Sequence, residues 1–433
     1  MRAVAAIAFF LLAVTSTLGA GESPLEVHGQ GTYIWQRKPS FDSPYAGPNS
    51  LAGERARSYS FTGTMFLGAR LGGGWEAYFN PEFTQGVPFS GLKGVGGFTN
   101  GEIARTSGSE LKGYVARAFL RKTWNLGGDW EEQASEANQV TTRYAGERVV
   151  LTAGIVSVLD VFDAVDYSRD ARTQFMNWSS LTYGAWDFAA DARGYTRGLA
   201  LEYISPGWSL RAGRFAMPAE SNGLRLDTRF ATRHGDMAEL ELPFKGIARG
   251  GVLRFLAFRN RAEMGGFRDA LALGAATGST PDLTQVRRLQ TKGGIGAGAQ
   301  VELTENVGAY VRAALNDGKT ETFAFTEIDR SVAFGALAKG GAWGRASDSA
   351  GAALYLNGLR APHRDYLAAG GLGFFLGDGR LNYGSENIFE TFYSLGLAKG
   401  AWASLGYQRI VHPGYNRDRG PASFLGFRIH GEI

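Results

Sequence analysis

Two neighbouring segments near the start of the chain alternate between apolar and polar residues. In Tyr59–Leu71 the odd positions are apolar or small and the even positions are mostly polar or small, with Phe66 as the exception. In Gly74–Gln85 aromatic, Ala and Pro residues alternate mainly with polar and charged residues. Side chains on a β-strand point to opposite faces with a period of two, so each segment predicts a strand with one apolar and one polar face. The Gly72-Gly73-Gly74 run at their junction predicts a tight hairpin turn.

The same alternation recurs along the whole chain. The first two segments each run for about 12 residues, whereas strands of globular proteins usually have ~5–6. A soluble β-sandwich would share the alternation, but long strands of this kind are typical of an outer-membrane β-barrel. The other candidate strands are Val27–Arg37, Tyr114–Trp124, Arg148–Ile155, Thr196–Ile204, Trp208–Ala216, Asp236–Leu242, Gly250–Arg259, Gly293–Leu303, Val307–Asn316, Ile328–Leu337, Asp348–Asn357, Ala368–Leu376, Glu386–Leu397, Ala401–Val411 and Ala422–Ile433.

These segments make seventeen candidates, whereas single-chain bacterial barrels have an even number of strands. Counted from the front, the loop His412–Pro421 lies at the inner rim; counted from the back, it lies at the outer rim. One candidate between Ile328 and Leu397 is therefore wrong, and we predict an all-β, antiparallel transmembrane barrel of 16 strands rather than 18.

The connections alternate in length, as expected when one rim of a barrel faces the periplasm and the other faces outside. The longest irregular region, Ser157–Arg193, has room for short helices, and Gly127–Glu147 is predicted to be a polar connection. Trp75, Trp124, Tyr203 and Trp208 fall near the rim with short turns and predict an aromatic girdle at that membrane interface.

The first residues indicate export. Arg2 is a short basic region, Ala3–Val14 is apolar, and small residues follow up to Ala20. This pattern predicts a signal peptide over residues 1–20, which leaves residues 21–433 as the barrel domain. The apolar run is too short to span ~30 Å of hydrocarbon as a helix. If the exported protein is a membrane protein, it must be a barrel.

Composition narrows the function further. The chain has no cysteine, 62 glycines in 433 residues and a net charge of only +4, which does not suggest a nucleic-acid partner. The five histidines are scattered without the spacing of metal ligands, and neither a cofactor nor a metal is predicted. The acidic run Asp160–Asp170 lacks the spacing of a Ca²⁺ loop, so an arginine-paired or solvated loop is favoured.

Several runs resemble one family of outer-membrane proteins. They are FDSPYAGPNSL (Phe41–Leu51), YFNPEFTQG (Tyr78–Gly86), GFTNGE (Gly97–Glu102), ARAFLRKTWNLGG (Ala116–Gly128), NWS…YGAWDFAADARGYT (Asn177–Thr196), AFTEIDRS (Ala324–Ser331), AAGGLGFFLGDG (Ala368–Gly379) and YNRDRGP (Tyr415–Pro421). The chain is similar to the carbohydrate-selective, OprB-type porins. This resemblance implies a 16-stranded barrel in the bacterial outer membrane, with loops folded inward to narrow the pore, through which mono- and oligosaccharides diffuse passively. It implies contact with outer-membrane lipid and lipopolysaccharide. It does not decide whether the protein is a monomer or a homo-oligomer.

A sugar pore needs hydrogen-bond donors and acceptors that match hydroxyl groups, which arginine and carboxylate side chains provide. Alternation in Tyr114–Trp124 assigns Arg117 and Arg121 to the polar face and Tyr114 to the opposite face. The alternative is that such charges only solvate a wide lumen or brace the loops. The residues predicted to form the constriction and bind the permeant are Glu82, Arg117, Arg121, Glu102, Arg105, Asp191 and Arg193.

Three rival functions come from other classes. A general or anion-preferring channel would fit an arginine-rich constriction and the excess of 45 basic over 41 acidic residues. A barrel enzyme would need a nucleophile paired with His363 or His412, and neither histidine has an evident partner in the sequence. A soluble secreted β-protein would be extracted without detergent. We predict a porin and no enzyme.

Overall fold

The computed structural model describes residues 24–103 and 108–433. Within these ranges sixteen antiparallel strands close into one barrel, in which each strand pairs with its sequence neighbours and the first pairs with the last. The predicted barrel of 16 strands is confirmed, and the predicted signal peptide lies outside the described residues. The strands are β1 Leu25–Lys38, β2 Ala56–Gly72, β3 Trp75–Val87, β4 Lys112–Gln133, β5 Thr142–Val156, β6 Thr196–Ile204, β7 Ser209–Ala216, β8 His234–Phe244, β9 Gly251–Met264, β10 Arg288–Thr304, β11 Val307–Asn316, β12 Arg330–Lys339, β13 Ser349–Gly358, β14 Glu386–Ala398, β15 Ala401–Val411 and β16 Ala422–Glu432.

Short helices occur only in the connections of the part described. The α-helices are α1 Trp178–Leu181, α2 Phe267–Thr277 and α3 Ala361–Ala368. Single 3₁₀ turns are formed by Phe89–Gly91, Val158–Asp160, Leu283–Val286, Gly340–Trp343 and Pro413–Tyr415. In the described residues no helix is both long and apolar enough to cross a membrane.

The surplus strand candidate was Ala368–Leu376, and its prediction as a strand is wrong. The segment begins at the last residue of α3 and continues as an irregular, glycine-rich loop. The backbone N–H groups of Phe375 and Leu376 donate to the Glu327 carboxylate at 2.7 and 2.9 Å instead of to a neighbouring strand. A side chain distant in sequence therefore takes the place of a strand partner.

The two rims of the barrel differ in the length of their connections. The start of β1 pairs with the end of β16, so both ends of the described chain lie at the same rim. This is the rim with the short turns, because β1 runs from it to the long connection 39–55 at the other rim. The opposite, extracellular rim carries eight loops, so His412–Pro421 belongs to the outer rim. These loops are L1 (residues 39–55), L2 (described for 88–103 and 108–111), L3 (157–195), L4 (217–233), L5 (265–287), L6 (317–329), L7 (359–385) and L8 (412–421).

The alternation in β2 separates the lumen from the lipid face as predicted. Thr62 and Thr64 are buried inside the barrel, whereas Met65 and Leu67 lie on the outer face. Phe66, the exception in the sequence pattern, faces inward and is buried.

Aromatic side chains gather near the rim with short turns. Trp75, Trp124 and Trp208 are 40–42 % exposed on the outer wall, and the ring of Tyr203 lies 4.9 Å from that of Trp208. Their position matches the predicted girdle, since amphipathic rings settle where hydrocarbon meets water.

The polar segment Gly127–Glu147 is not the simple connection that was predicted. Strands β4 and β5 extend beyond their neighbours, and Trp130 pairs with Ala145 across the resulting hairpin. The tip of this hairpin, residues 134–141, folds back toward the lumen and contacts the inward-facing Asn80. Alternation is weak in this segment, which is why the sequence pattern did not reveal the strands.

Leu201→Arg tests the assignment of the lipid face. Leu201 lies near the middle of β6, is 49 % exposed and points away from the lumen. A charge at mid-membrane should lower the free energy of unfolding by about 2–4 kcal/mol. The measurement is a denaturant titration of the barrel folded in phospholipid vesicles.

Leu71→Arg is the matched control, because Leu71 is 59 % exposed on the same outer face but sits beside the Gly72–Gly74 turn. Its cost should be about 0–1 kcal/mol, as for charges near the interface. Equal losses for the two variants would contradict the depth assigned to these positions.

Candidate functional site

Four extracellular loops turn inward and meet the lumen-facing sides of β3 and β4. Segments of L2, L3, L4 and L6 enclose a central cavity of about 570 Å³ with this wall. Loops folded into a barrel narrow the path between its two rims. Residues of both charge signs, two tyrosines and several other aromatic side chains line the cavity; among them are Glu82, Glu102, Tyr114, Arg117, Asp160, Arg169, Asp170, Arg172, Trp178, Phe188, Asp191, Arg193, Tyr195 and Phe325.

Arg172 of L3 joins two carboxylates at the centre of this cavity. Its guanidinium lies 3.3 Å from the Glu82 carboxylate and 3.0 Å from that of Glu102. Burial by itself would lower the pKa of Arg172, but the two carboxylates outweigh it and raise the pKa well above its ordinary value. The guanidinium is therefore a permanent charge that ties L3 to L2 and to the barrel wall.

Glu82 is the most densely bonded member of the site. Its carboxylate accepts hydrogen bonds from the hydroxyl groups of Thr64 at 2.6 Å, Tyr114 at 2.5 Å and Tyr195 at 3.0 Å. With Arg172, the donors number four, as many as the roughly four acceptor positions of a carboxylate. Glu82 is only 3 % exposed, and its hydrogen bonds hold the Tyr114 and Tyr195 hydroxyl groups at the cavity wall.

Arg117 forms the second charged contact of the cavity. It binds the Asp160 carboxylate through two hydrogen bonds of 2.7 Å, and its guanidinium lies 5.2 Å from the centre of the Tyr195 ring. The bidentate geometry fixes the plane of the guanidinium. The acidic run Asp160–Asp170 is thus an arginine-paired loop, because Asp163 also binds Arg312 at 2.9 Å.

Asp191 and Arg193 shape the end of L3. The Asp191 carboxylate accepts the backbone N–H groups of Arg193 and Tyr195 at 2.9 and 3.2 Å, which closes a turn. Burial raises the pKa of Asp191 above its ordinary value, and these backbone donors offset only part of the rise. Arg193 lies 4.3 Å from the centre of the Tyr114 ring, within the range of a cation–π contact.

A bulge in β4 brings Tyr114 to the lumen. Pro81 pairs with Val115 and Asn80 with Arg117, so Ala116 is an extra residue with no partner on β3. The bulge shifts the alternation by one position, which puts Tyr114 on the same face as Arg117. The prediction that they lie on opposite faces is wrong for this reason. Pro81 cannot donate to a strand partner, and prolines inside sheets favour such irregularities.

Five of the seven predicted residues line the cavity: Glu82, Glu102, Arg117, Asp191 and Arg193. Arg121 lies farther toward the short-turn rim, where it binds Glu76 at 3.4 Å and donates to the carbonyl of Asn138 at 3.2 Å. Arg105 falls outside the described residues. Arg172, Tyr114 and Tyr195 also line the cavity but were not predicted from the sequence. Of these, only Tyr114 lies on a strand, and the alternation would place it in the lumen only if the bulge at Ala116 were known.

An aromatic surface forms one side of the cavity. The Trp178 and Phe325 rings are stacked, with centres 5.8 Å apart and an angle of 8° between them, and Phe188 lies 4.6 Å from Phe325. The indole N–H of Trp178 donates to the carbonyl of Asn100 at 2.8 Å, which leaves the ring edge and faces as its apolar surface. The cavity therefore offers apolar faces beside charged hydrogen-bonding groups.

The histidines considered for catalysis have structural partners. His363 is fully buried, its Nδ1 lies 3.0 Å from the Asp329 carboxylate, and its ring stacks on Phe267 at 4.3 Å. The Nδ1 of His412 lies 3.0 Å from the carbonyl oxygen of Ser385. In residues 24–103 and 108–433 no group of three or more His, Cys, Asp or Glu residues is arranged to hold a metal ion.

Comparison with known families identifies the protein class. The model of the carbohydrate-selective porin family, OprB, matches residues 64–432. The chain belongs to this family. Porins of this family admit sugars passively across the bacterial outer membrane, so the barrel is an outer-membrane porin that conducts carbohydrates. Family and fold point to a channel rather than an enzyme.

Solved porins share the fold at low sequence identity. The high-pH structure of Pseudomonas putida OprB is 12 % identical, with a TM-score of 0.67, and the alignment covers 95 % of this chain and 94 % of that one. The outer-membrane channel DcaP of Acinetobacter baumannii is 8 % identical, with a TM-score of 0.53, over 96 % of this porin and 100 % of DcaP. No curated protein matches the chain in sequence.

Arg172→Met tests whether Arg172 anchors L3. Glu82 and Glu102 would keep their hydroxyl donors but lose the guanidinium that joins them in the described part of the chain. Hydrogen bonds to charged groups contribute about 1.5–3 kcal/mol. Amide hydrogen exchange at residues 170–176 should become roughly tenfold faster or more, while exchange in the barrel strands stays unchanged. Mass spectrometry of the exchanged porin in detergent measures both.

Arg169→Met is the control, because Arg169 is exposed and its guanidinium, among the described residues, donates only to the carbonyl of Leu159, at 3.3 Å. This variant should leave exchange in L3 within about twofold of the parent. Equal acceleration in both variants would contradict the anchoring role of Arg172.

Proposed function

We propose that sugars cross the porin through an eyelet formed by two ion-pair groups, Glu82–Arg172–Glu102 and Arg117–Asp160, with Asp191 and Arg193 beside them. The supporting observation is that these groups share one cavity with the rings of Tyr114, Tyr195 and Trp178. A sugar presents hydroxyl groups around its edge and C–H groups on its faces. The cavity offers a partner for each.

Partial exposure allows the arginines to bind a passing sugar while they stay paired with their carboxylates. The side chains of Arg117 and Arg172 are 14 % and 20 % exposed, so each guanidinium reaches the cavity while bound to a carboxylate. Arginine has five donors in a planar fork, and each carboxylate here uses only some of them. The free donors can bind sugar oxygens without the cost of an unpaired charge.

Charges of both signs favour a neutral permeant over an anion. The described lining residues include the acidic Glu82, Glu102, Glu136, Asp160, Asp170 and Asp191 and the basic Arg117, Arg169, Arg172 and Arg193. An anion channel would need a net positive constriction. The alternative of a general or anion-preferring porin is therefore less well supported, and the reversal potential across a salt gradient in planar bilayers distinguishes the two.

We also infer that the outer wall contacts membrane lipid and lipopolysaccharide. Exposed apolar side chains such as Leu210, Phe255 and Ile295 suit acyl chains. Toward the extracellular ends of the strands, Arg259 and Arg330 are exposed and could meet the anionic groups of lipopolysaccharide. The test compares the lipopolysaccharide that co-purifies with the parent and with the double variant Arg259→Ala plus Arg330→Ala. Less lipopolysaccharide on the variant would support this contact.

The eyelet is tested by Arg117→Ala combined with Arg172→Ala. The change removes two donor forks and widens the passage, so conductance for small ions should rise and the reversal potential should shift toward cations. Block of the current by a di- or trisaccharide should weaken by about tenfold, since one charged hydrogen bond contributes at least 1.5 kcal/mol. Single-channel recording measures all three.

Arg214→Ala is the matched control, because Arg214 binds Asp236 at 2.7 Å on the outer wall, away from the lumen. Its conductance and sugar block should equal those of the parent. Both proteins should still migrate differently with and without boiling on a detergent gel. A folded double variant with unchanged sugar block would refute the eyelet.

A further inference from the structure

The tip of the β4–β5 hairpin, residues 134–141, reaches into the pore from the side opposite to the loops. Beyond the barrel rim the two strands continue to Gln133 and from Thr142. Between them the chain reverses at Glu136–Gln139, where the backbone groups of these two residues bond each other at 2.9 and 3.0 Å. Asn138 has a φ of 61°, a left-handed conformation that asparagine tolerates.

The wall of β2, β3 and β4 holds one side of the tip. Asn80 donates to the Asn138 side chain at 2.7 Å, and Arg121 donates to the Asn138 carbonyl at 3.2 Å. Val140 is 1 % exposed and seats over Gly68, where an added Cβ would lie 2.7 Å from the Val140 side chain. The wall is therefore shaped to receive the tip.

Strands β1 and β2 hold the other side. The Glu26 carboxylate accepts the backbone N–H of Thr141 at 2.9 Å, and Arg70 donates to the carbonyl of the same residue at 3.1 Å. The His28 ring nitrogen Nε2 lies 2.7 Å from the Ser135 hydroxyl. With anchors on four strands, the tip is a fixed part of the lumen and not a free periplasmic loop.

The tip separates two cavities along the pore. Glu136 and Ala137 line the central cavity that also contains Glu82 and Arg172. The same two residues, with Ser135, line a second cavity of about 910 Å³ at the short-turn rim, next to His28 and Trp402. A permeant that moves from the central cavity to the second one therefore passes beside the tip.

We propose that residues 135–138 form a second constriction at the periplasmic side of the pore and that Glu136 determines its charge preference. Glu136 is exposed to the lumen, whereas the carboxylates of the eyelet are engaged by arginine. Among the described residues no cationic side chain pairs with Glu136, and an unpaired carboxylate attracts cations and accepts hydrogen bonds from sugar hydroxyl groups. The inference rests on membership of the porin family, not on the eyelet proposed above.

Cysteine labelling tests the constriction, because the chain has no cysteine of its own. Ala137→Cys should react with a bulky methanethiosulfonate reagent, and labelling should lower single-channel conductance at least twofold. Gly207→Cys is the control: an added Cβ there meets no atom within 4 Å, and the residue lies in the β6–β7 turn outside both cavities. Complete labelling of Ala137→Cys, verified by mass, with unchanged conductance would overturn the proposal.

Charge substitution tests the role of Glu136 with ions alone, so its result is independent of sugar binding at the eyelet. Glu136→Lys should lower the cation-to-anion permeability ratio at least twofold, and Glu136→Gln should fall between it and the parent. Glu131→Lys, on the exposed part of the hairpin, should leave the ratio unchanged. Equal shifts for Glu136→Lys and Glu131→Lys would refute a specific role for Glu136.

Discussion

The narrow pore depends on hydrogen bonds between the barrel wall and the backbone of loops that are largely irregular. An irregular chain inside a barrel leaves N–H and C=O groups that water cannot always reach, and each unpaired group is costly. Glu390 of β14 accepts the N–H groups of Met176 and Asn177, and Glu386 accepts those of Gly96 and Gly97. Acidic side chains of the wall thus replace the missing strand partner.

Arginines of the wall perform the complementary task for carbonyl groups. Arg428 donates to the carbonyls of Ala171 and Gln174 at 2.7 and 2.8 Å, and Arg312 donates to those of Ser168 and Ser180. These arginines are almost fully buried and face no open space. Charge alone therefore does not mark a permeation site: the partners of a charged side chain distinguish a brace from a lining residue.

The sequence predicted the barrel well because the side chains of each strand alternate between the lumen and the lipid, which leaves a period-two pattern in the sequence. Alternation identified every strand, although it missed the extensions of β4 and β5 and added Ala368–Leu376. Glycine-rich and apolar, that segment has the composition of a strand, but its backbone is satisfied by Glu327. Glu327 lies 48 positions before Phe375, so the residues around Phe375 do not indicate this contact.

Residues of the candidate site were predictable only where strands carry them. Glu82 and Arg117 follow from alternation, but Tyr114 required the bulge at Ala116, and Arg172 lies in a loop whose path is set by distant anchors. Arg121 has the residue type and strand face of its neighbour Arg117, yet it contacts the periplasmic hairpin. The depth of each arginine along the pore decides between these two roles. The alternation of apolar and polar residues indicates the face of a strand but not this depth.

The barrel wall and the contacts that brace the loops place different demands on the sequence. Barrel closure requires only that the strand backbones pair and that each strand has an apolar face toward lipid and a polar face toward the lumen. Many residue choices satisfy both requirements. The bracing contacts are specific, since Glu390 must meet the N–H groups of a particular loop. Wall and loop must therefore change together, because a loop that loses its acceptor leaves buried N–H groups unpaired and is no longer held across the lumen. The shape of the pore is thus specified by wall residues as much as by the loops that line it.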